Sequence, residues 1–401
     1  MQYFFVLGKN PGLSSAEIIS VLEREKIKYT KIAHSSEALI IKTTKKISPE
    51  FMDELGGTIK MGQILSENFD EQFIFQALKN KYQEKKLIFG ASFYKLENTF
   101  SNKKIEKKKK EIEQFFYSLK KELKSEEISC RMVTSREKNL SSVVVSKNKI
   151  LEKGMEFCFF ISENLFFVGE TLAVQKFEEY SFRDWQRPAK DLVSGMLPPK
   201  VAKILINLAQ CDKEKSLLDP FCGSGTILQE AAVLGYKNVF GSDISEKAII
   251  DSQKNLEWVN RFFMLEHIPQ IFVLNASNLS DKFGEKSIDS IATEPLLGPP
   301  QRGSEGRNDL KRIILHLESL YLEFFLSAEK ILKPSGKIAI IFPSFSIQKY
   351  IFNINILAEV EKMGFKIKEW PNFIETNDRG GLIYFRPDQK VYREIFVFEK
   401  I

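Results

Sequence analysis

The sequence predicts an α/β protein in which a Rossmann-like domain with an antiparallel edge strand follows an α+β region. The chain has 401 residues, more than a single hydrophobic core usually supports. In the second half, short apolar runs alternate with helical stretches, as in open α/β sheets. The first half mixes both patterns and carries the charge excess. Residues 1–180 hold 30 Lys and Arg against 25 Asp and Glu, whereas residues 181–401 hold 29 against 28.

The C-terminal half supplies the elements of the predicted Rossmann-like sheet. Five apolar runs are predicted to be its parallel strands: 216–221, 238–244, 270–276, 288–293 and 337–342. Helices are predicted over 245–262, 309–332 and 351–364, and two further strands over 366–370 and 395–399. Gly-Gly and Arg-Pro-Asp turns separate the last two strands, which favours an antiparallel edge over another βαβ unit.

The N-terminal half is predicted to be α+β. Strands are expected at 3–7 and 38–42, with a helix after Ser14 and a second helix around the lysine run 107–110. We divide this half into a ferredoxin-like region over 1–60 and a second region over 61–177. The polar, proline-ended stretch that follows predicts a linker over 178–194, and residues 195–401 are expected to fold as a domain of their own.

Composition excludes several classes of protein. The apolar run at 3–7 is too short for a signal-peptide core, and no apolar stretch is long enough to span a bilayer, so we expect a cytoplasmic protein. The cysteines, at 130, 158, 211 and 222, form no C-x-x-C pair and have no nearby histidines. This spacing argues against a disulfide framework and a zinc site, and we expect no metal.

The strongest chemical signal follows the first strand of the C-terminal half. Residues 219–226 read Asp-Pro-Phe-Cys-Gly-Ser-Gly-Thr and lead directly into a helical stretch. Open α/β folds bind ligands at such turns, at the carboxyl edge of the sheet. Gly223 and Gly225 leave the backbone bare for a ligand, and Asp219 suits a ligand with a cationic amino-acid end. The alternative is a plain strand-to-helix connection.

An acidic residue at the end of the second strand indicates a nucleoside. Asp243 lies 20 residues after Gly223, and its carboxylate can accept hydrogen bonds from both ribose hydroxyls. The same spacing suits a dinucleotide enzyme. However, Leu228 occupies the position of the third glycine of G-x-G-x-x-G, so close packing of a pyrophosphate is not provided for. The pattern favours a nucleoside joined to an amino acid, as in S-adenosylmethionine.

Neighbouring residues complete the predicted cofactor site. Asn275, at the end of the third strand, is placed to contact an adenine ring, although a plain turn residue is almost equally consistent with it. Ile244 offers the ring an apolar wall. The predicted cofactor-binding residues are Pro198, Asp219, Phe221, Gly223, Ser224, Gly225, Thr226, Asp243, Ile244, Asn275 and Ala276.

Several segments together carry a resemblance to a known family. They are residues 3–14 with Ala16 and Glu17, residues 131–135, 140–145 and 147–149, stretches within 183–200, and residues 219–226. With these segments the chain resembles the THUMP-domain tRNA guanine-N2 methyltransferases, whose archaeal and eukaryotic members act on guanosine 10. The resemblance implies a THUMP-type RNA-binding region followed by an S-adenosylmethionine-dependent methyltransferase domain that acts on tRNA.

The chain departs from this family at the catalytic motif. The family has Asp/Asn-Pro-Pro-Tyr/Phe after the fourth strand, whereas this chain has Glu294, Pro295, Leu296 and Leu297. Glu294 and the carbonyl of Pro295 are acceptors suited to orienting an exocyclic amine. Leu297 offers an apolar wall where an aromatic ring would stack on an extruded base. Glu294, Pro295 and Leu297 are the predicted catalytic residues, with a surface or salt-bridged acid as the alternative for Glu294.

Basic residues in both halves are candidates for RNA contact, because Lys and Arg neutralise phosphates. The predicted RNA-binding residues are Arg131, Arg136, Lys147, Lys149 and, in the Gly/Arg-rich loop 301–307, Arg302. The family's THUMP domain recognises the tRNA 3′ end, which favours Arg131 over the lysine run 103–110. That run is more typical of a solvated helix face.

Three functions are consistent with the sequence. The first is a tRNA guanine-N2 methyltransferase, with S-adenosylmethionine as cofactor, tRNA as partner and a monomer as the favoured state. The second is a methyltransferase of another RNA base amine, ribosomal RNA included, because Leu297 alters the base pocket. The third is a non-catalytic RNA-binding protein that retains the cofactor fold.

Overall fold

Two β-sheets organise the described part of the chain. The computed structural model describes residues 1–83, 85–96, 102–135, 137, 139–190, 196–299, 306–347, 350–386 and 391–401. The contacts within the chain define two units. Unit 1 comprises Met1–Pro11, Lys26–Asp53 and Gly57–Phe177, and unit 2 comprises Gly12–Glu25, Glu54–Gly56 and Glu178–Ile401.

Strands and helices alternate along both units. The strands are β1 (Gln2–Leu7), β2 (Tyr29–His34), β3 (Ala38–Thr43), β4 (Thr58–Ser66), β5 (Leu87–Lys95), β6 (Cys130–Val133), β7 (Gly154–Ile161), β8 (Phe166–Val174), β9 (Ser216–Asp219), β10 (Asn238–Asp243), β11 (Gln270–Val273), β12 (Ile288–Thr293), β13 (Leu332–Ile347), β14 (Tyr350–Asn353), β15 (Phe365–Ile367), β16 (Leu382–Tyr384) and β17 (Val391–Lys400). The α-helices are α1 (Pro11–Arg24), α2 (Glu71–Asn80), α3 (Asn102–Ser125), α4 (Ser142–Lys147), α5 (Ile150–Lys153), α6 (Phe177–Trp185), α7 (Pro199–Leu208), α8 (Thr226–Val233), α9 (Glu246–Phe263), α10 (Arg307–Ile331) and α11 (Leu357–Lys362). Short 3₁₀ helices cover Pro49–Glu54 and Ala276–Asp281.

Unit 1 is built on one continuous sheet with the order β2-β3-β1-β4-β8-β7-β5-β6. The first four strands of this order, β2-β3-β1-β4, are arranged as in a ferredoxin-like unit. β4 pairs antiparallel with both β1 and β8, which joins the two groups of four strands by backbone hydrogen bonds. A domain boundary at residue 60 is therefore wrong, because it falls within β4. Assignment of residues 61–177 to a THUMP-type domain stays a prediction.

Unit 2 is built on a mainly parallel sheet with the order β11-β10-β9-β12-β13-β17-β15. Neighbours from β11 to β13 are parallel, and β17 runs antiparallel between β13 and β15. The Rossmann-like α/β fold is thus confirmed. The predicted antiparallel strand is β17, which lies one place in from the edge that β15 forms. Chain order reverses between β9 and β12, and ligands of open α/β sheets bind at such a point.

The five predicted parallel strands of unit 2 are all present. β12 has the predicted bounds, and the other four strands have shifted ends. β13 is much longer than the predicted 337–342, because it pairs with β17 over nine residues in succession. The predicted helix 351–364 is wrong in its first part: the chain forms β14 there, and α11 begins only at Leu357. β16 was not predicted, since its three residues carry too little periodicity.

The predicted linker 178–194 is wrong over the residues that the structure describes. Residues 177–185 form α6, in which Tyr180 and Arg183 are buried. Arg183 donates hydrogen bonds from Nε and Nη2 to the two carboxylate oxygens of Glu230 in α8, at 2.5 and 3.1 Å. Burial opposes the charge of Arg183, but Glu230 holds its pKa above the ordinary value. The segment is polar because it supplies buried ion pairs to unit 2.

Helix α1 is also a part of unit 2, although it lies near the start of the sequence. The Glu17 carboxylate accepts a hydrogen bond from Asn207 Nδ2 at 2.8 Å. Arg24 donates to the Asn207 amide oxygen at 3.0 Å and to the Tyr236 hydroxyl at 2.9 Å. A domain that starts at residue 195 therefore leaves out contacts on which unit 2 depends. No described helix is long and apolar enough to cross a membrane.

Candidate active site

The loop that follows β9, residues 219–226, is called the cofactor loop below. Asp219 ends β9 and is buried. Its Oδ1 accepts hydrogen bonds from Thr293 Oγ1 at 2.6 Å and from the Phe221 amide at 3.2 Å. Burial raises the pKa of Asp219 to about 7, and the carboxylates of Asp243 and Glu294 add to the rise. Because Thr293 ends β12, this bond ties together the carboxyl ends of β9 and β12.

Two glycines give the cofactor loop its shape. Gly223 and Gly225 have φ of +51° and +81°, in the left-handed region that favours glycine. A Cβ on Gly225 would lie 2.3 Å from Ser252 Oγ, so Gly225 is needed for packing. A Cβ on Gly223 would meet nothing within 4 Å. The backbone at Gly223 therefore faces open space, as a ligand-binding turn requires.

Asp243 ends β10 and holds the cofactor loop from the side. Its Oδ2 accepts a hydrogen bond from the Gly223 amide at 3.0 Å, and its Oδ1 accepts one from the Ser245 amide at 2.9 Å. A carboxylate oxygen can accept two hydrogen bonds, so both oxygens retain capacity for ribose hydroxyls. The same side chain thus orders the loop and presents acceptors beside it.

Two buried side chains fix the far end of the cofactor loop: Arg187, which lies in a stretch within 183–200 that carries the family resemblance, and Asn255, which the sequence analysis missed. Arg187 Nη1 donates to Thr226 Oγ1 at 2.6 Å, which engages the hydroxyl that we predicted to bind cofactor. Asn255 donates to the carbonyls of Ser224 and Ala189 at 2.9 and 3.0 Å. A signal for Asn255 was available, because it lies on the apolar face of α9 beside Leu256.

The remaining predicted cofactor residues differ in their burial and in their contacts. Ile244 is 71% exposed, as expected of an apolar wall for a ring. Asn275 caps the following 3₁₀ helix, and its side chain accepts from the Ser277 amide at 3.1 Å. Ala276 is buried, and Phe221 packs edge-on against Phe324 at 5.5 Å. Pro198 is half-buried at the start of α7.

The loop that follows β12, residues 294–299, is called the target loop below. Pro295 is buried, Leu296 is exposed and Leu297 is half-buried. The Tyr321 hydroxyl donates to the Leu296 carbonyl at 2.6 Å, and Tyr321 itself is buried against Phe342. A core tyrosine of α10 therefore fixes the backbone of the predicted catalytic motif.

Glu294 forms an ion pair with a residue that no local sequence pattern pointed to. Its Oε1 accepts from Arg393 Nε at 2.6 Å, across 99 residues of chain, and the two side chains are 15% and 12% exposed. Glu294 is therefore a salt-bridged acid, and its predicted catalytic role stays a prediction. The ion pair lies at the carboxyl end of β12, where the catalytic motif was predicted.

Three of the predicted RNA-binding residues of unit 1 are described by the structure: Arg131, Lys147 and Lys149. Arg131 is exposed in β6, the last strand of the order, and its Nη2 donates to Asn148 Oδ1 at 2.7 Å. This bond brings Arg131 beside Lys147 and Lys149, which are both exposed. Arg136 and Arg302, like most of the loop 301–307, lie outside the described residues.

The lysine run of α3 is only partly a solvated face. Lys107 and Lys110 are exposed. Lys108 Nζ lies 5.1 Å from the ring centre of Phe166, and Lys109 Nζ lies 5.8 Å from that of Phe93. Two of the lysines thus cover aromatic rings of unit 1.

Two family models match this chain. One, described as an RMKL-like methyltransferase domain, matches residues 186–366. The other, described as a DNA methylase, matches residues 33–254, more than half of the chain. The first match falls within unit 2, whereas the second crosses from unit 1 into unit 2. Both descriptions are of methyltransferases.

Known proteins are similar to parts of the chain or to its fold. A tRNA (guanine(10)-N2)-dimethyltransferase of Pyrococcus abyssi is 31% identical over 171 residues, 43% of this chain and 44% of that protein. A tRNA (guanine(6)-N2)-methyltransferase of Thermus thermophilus is 31% identical over 165 residues, 39% of this chain and 42% of that protein. The chain thus spans less than half the length of these curated relatives.

The crystal structure of TrmN from Thermus thermophilus matches 100% of both chains with a TM-score of 0.54 and 17% identity. That likeness concerns the fold. It agrees with the strand order of unit 2 and with the family models. The chain therefore belongs to the family of methyltransferases whose model, described as a DNA methylase, matches more than half of it, and the curated relatives that match parts of it are named tRNA guanine-N2 methyltransferases.

Proposed function

We propose that this chain is an S-adenosylmethionine-dependent tRNA methyltransferase that acts on the exocyclic N2 amine of a guanosine. The observation that carries the proposal is the Thr293–Asp219 hydrogen bond of 2.6 Å, which joins the cofactor loop to the strand that leads into the target loop. A cofactor and a target base need neighbouring sites if a methyl group is to pass between them. Position 10 is the position named for the Pyrococcus abyssi relative.

S-adenosylmethionine is the cofactor of this family, and the residues of the cofactor loop fit its chemistry. The cofactor supplies an electrophilic methyl group on a sulfonium sulfur. Asp219 would hold the cationic amino-acid end, and Asp243 would accept the ribose hydroxyls. Open space at Gly223 leaves room for a ligand against the backbone, and the exposed Ile244 side chain would cover one face of the adenine.

The target loop offers acceptors for an amine. A guanine amine is a poor nucleophile because its lone pair is delocalised into the ring, so an enzyme must orient it and stabilise the positive charge that develops on nitrogen. The Glu294 carboxylate and the Pro295 carbonyl would each accept an N–H, and acceptors that are already oriented cost little reorganisation during the reaction. The Glu294 carboxylate is also available to take the proton that the methylated amine releases.

Unit 1 would bind the tRNA. Arg131, Lys147 and Lys149 are exposed at one end of its sheet and can contact phosphates in a salt-dependent manner. We expect a monomeric, cytoplasmic enzyme.

Mass analysis of tRNA from a deletion strain tests the proposal. We expect one guanosine to lose an N2-methyl group and the purified protein to restore it in the presence of S-adenosylmethionine. Unchanged tRNA from the deletion strain, together with no methyl transfer to it in vitro, would contradict the proposal.

A second function, methylation of a different RNA base amine, is favoured by the target loop itself. Leu297 replaces the aromatic residue that the family places against the base, and stacking of a base on an aromatic ring contributes about 1–3 kcal/mol. A changed contact surface would accept a different base. Loss of a methyl group from adenosine, cytidine or ribosomal RNA in the deletion strain would select this function.

A further inference from the structure

We propose that Arg393 is a positioning residue for methyl transfer, which holds one carboxylate oxygen of Glu294 so that the other is presented to the target amine. This inference rests on the proposed function and concerns the same site. The contact that supports it is the 2.6 Å hydrogen bond from Arg393 Nε to Glu294 Oε1.

The backbone of Arg393 is fixed on both sides. It lies in β17, where it is paired with Pro343 of β13 on one side and with Tyr384 of β16 on the other. The Arg393 guanidinium also lies 6.0 Å from the ring centre of Tyr384. The Tyr384 hydroxyl accepts from Arg386 Nε at 2.6 Å, which restrains the ring. Arg393 is thus a rigid donor toward Glu294.

Among the described residues, one oxygen of Glu294 is engaged. Across the described ranges, Oε1 accepts from Arg393 and Oε2 has no hydrogen-bond partner. Glu294 directly follows β12, and Tyr321 holds the carbonyl of Leu296 two residues later. The Glu294 side chain is therefore held from both the backbone end and the carboxylate end, and Oε2 is left for a substrate.

The ion pair accounts for glutamate at a position where the family has aspartate. Aspartate is shorter by one methylene, roughly 1.5 Å of reach, so its carboxylate would leave hydrogen-bond distance of Arg393 Nε, which extends to about 3.2 Å. The extra length of Glu294 and the presence of Arg393 are then two parts of one arrangement. An Asp at this position would need a different donor or none.

Three charged or titratable groups surround the carboxylate in the described part of the chain. They are Arg393 of β17, which is paired with it, and Asp219 of β9 and Tyr321 of α10, which both interact electrostatically with Glu294. Removal of the arginine takes away the donor that holds Oε1. The carboxylate then loses its orientation toward the target amine, and methyl transfer should slow.

Single-turnover methyl transfer to tRNA from a deletion strain tests the inference, with the full-length chain and Arg393→Lys, Arg393→Met and Glu294→Gln variants. For Arg393→Met we expect the transfer rate to fall at least tenfold while S-adenosylmethionine affinity stays within twofold. Arg393→Lys should recover part of the rate. Glu294→Gln combined with Arg393→Met should be no slower than Glu294→Gln alone, since the arginine acts through Glu294.

Lys333→Met is the matched control. Lys333 pairs with Asp289 at 2.8 Å, at the opposite end of β12, so its loss should leave the transfer rate unchanged. Parent-like rates in both Arg393 variants would overturn the inference and leave the proposed function intact. Additive losses in the double variant would also overturn it. Absence of transfer by the parent protein would overturn the proposed function and the inference together.

Discussion

The cofactor loop and the target loop lie at the carboxyl ends of adjacent strands, yet they are held in different ways. The cofactor loop is held by the side chains of Asp243, Asn255 and Arg187, which lie 20, 31 and 39 residues from the groups that they bind. The target loop depends on Tyr321 and on Arg393, which is 99 residues away. A loop that binds a fixed cofactor can keep a recognisable local pattern. A loop that selects a substrate can be held by side chains that lie far away in the sequence.

The largest effect is expected from breaking the buried ion pair between Arg183 and Glu230, which should affect the cofactor loop. Both side chains are at most 2% exposed, and Glu230 lies in the helix that follows the cofactor loop. Arg183→Met leaves an unpaired buried carboxylate, which costs about 3–5 kcal/mol. We expect thermal and urea unfolding to show a loss of that order and S-adenosylmethionine binding to weaken with it.

Lys237→Met is the control for that variant, because it breaks an exposed pair with Glu214. We expect no measurable change in its unfolding curve. Equal stability of Arg183→Met and Lys237→Met would show that the segment at 177–190 is the dispensable linker that its sequence suggested. A fragment that begins at residue 195 should behave like Arg183→Met or worse, since it lacks Arg183, Arg187 and α1.

The next largest effect is expected on the rate of methyl transfer when Glu294 of the target loop is substituted. Glu294→Gln preserves shape but removes the charge that stabilises a developing cation, so methyl transfer should slow by about a hundredfold, roughly 2.7 kcal/mol. Glu294→Asp should also be impaired, because the shorter carboxylate leaves Arg393. Calorimetry should find S-adenosylmethionine binding unchanged in both variants. Full activity in both would assign Glu294 a purely structural role.

A moderate effect is expected when the cofactor loop loses Asp243. Asp243→Ala removes the acceptor of the Gly223 amide and the predicted ribose contacts, and hydrogen bonds to charged groups contribute about 1.5–3 kcal/mol each. S-adenosylmethionine affinity should fall at least tenfold by calorimetry. Asp251→Ala removes an acid of α9 that pairs with Lys247 and should bind normally. Unchanged affinity in Asp243→Ala would remove Asp243 from the cofactor site.

The smallest effect expected is a pH dependence of cofactor binding. Burial raises the pKa of Asp219 to about 7, so its carboxyl is largely protonated at pH 6 and ionised at pH 8. Only the ionised form pairs with a cationic amino group, so S-adenosylmethionine affinity should increase severalfold as pH rises through 7. The increase should vanish in Asp219→Asn. Adenosine lacks the amino-acid end, and its binding should not change with Asp219.

Local patterns predicted much of the fold of unit 2. The five parallel strands, α9 and α10 follow from apolar periodicity and helix signals, which depend on residues close in sequence. The predicted helix at 351–364 failed where β14 pairs with β13, because an edge pairing is decided by a partner strand. The boundary at residue 60 failed for the same reason, since β4 is held by β8, a hundred residues later.

The candidate site also contains some features that local sequence patterns predicted and others that depend on distant residues. The shape of the cofactor loop, with its two glycines and Asp219, agrees with what its sequence indicated. The roles of Tyr321 and Arg393 had no comparable signal. Arg187 lies in a stretch that carries the family resemblance, and Asn255 is a polar residue on an apolar helix face. A single arginine among the many basic residues of the chain has no local feature that reveals a buried partner.

The sequence by itself determined the fold class of unit 2, the position of the cofactor loop and the departure from the family motif at Glu294. Each of these depends on residue type and short-range spacing, which a chain carries before it folds. Tertiary structure alone decided that residues 177–190 belong to unit 2, that β1 to β8 form one sheet and that Glu294 is paired with Arg393. Those contacts join residues far apart in sequence, and only folding brings the donors and acceptors within hydrogen-bond distance.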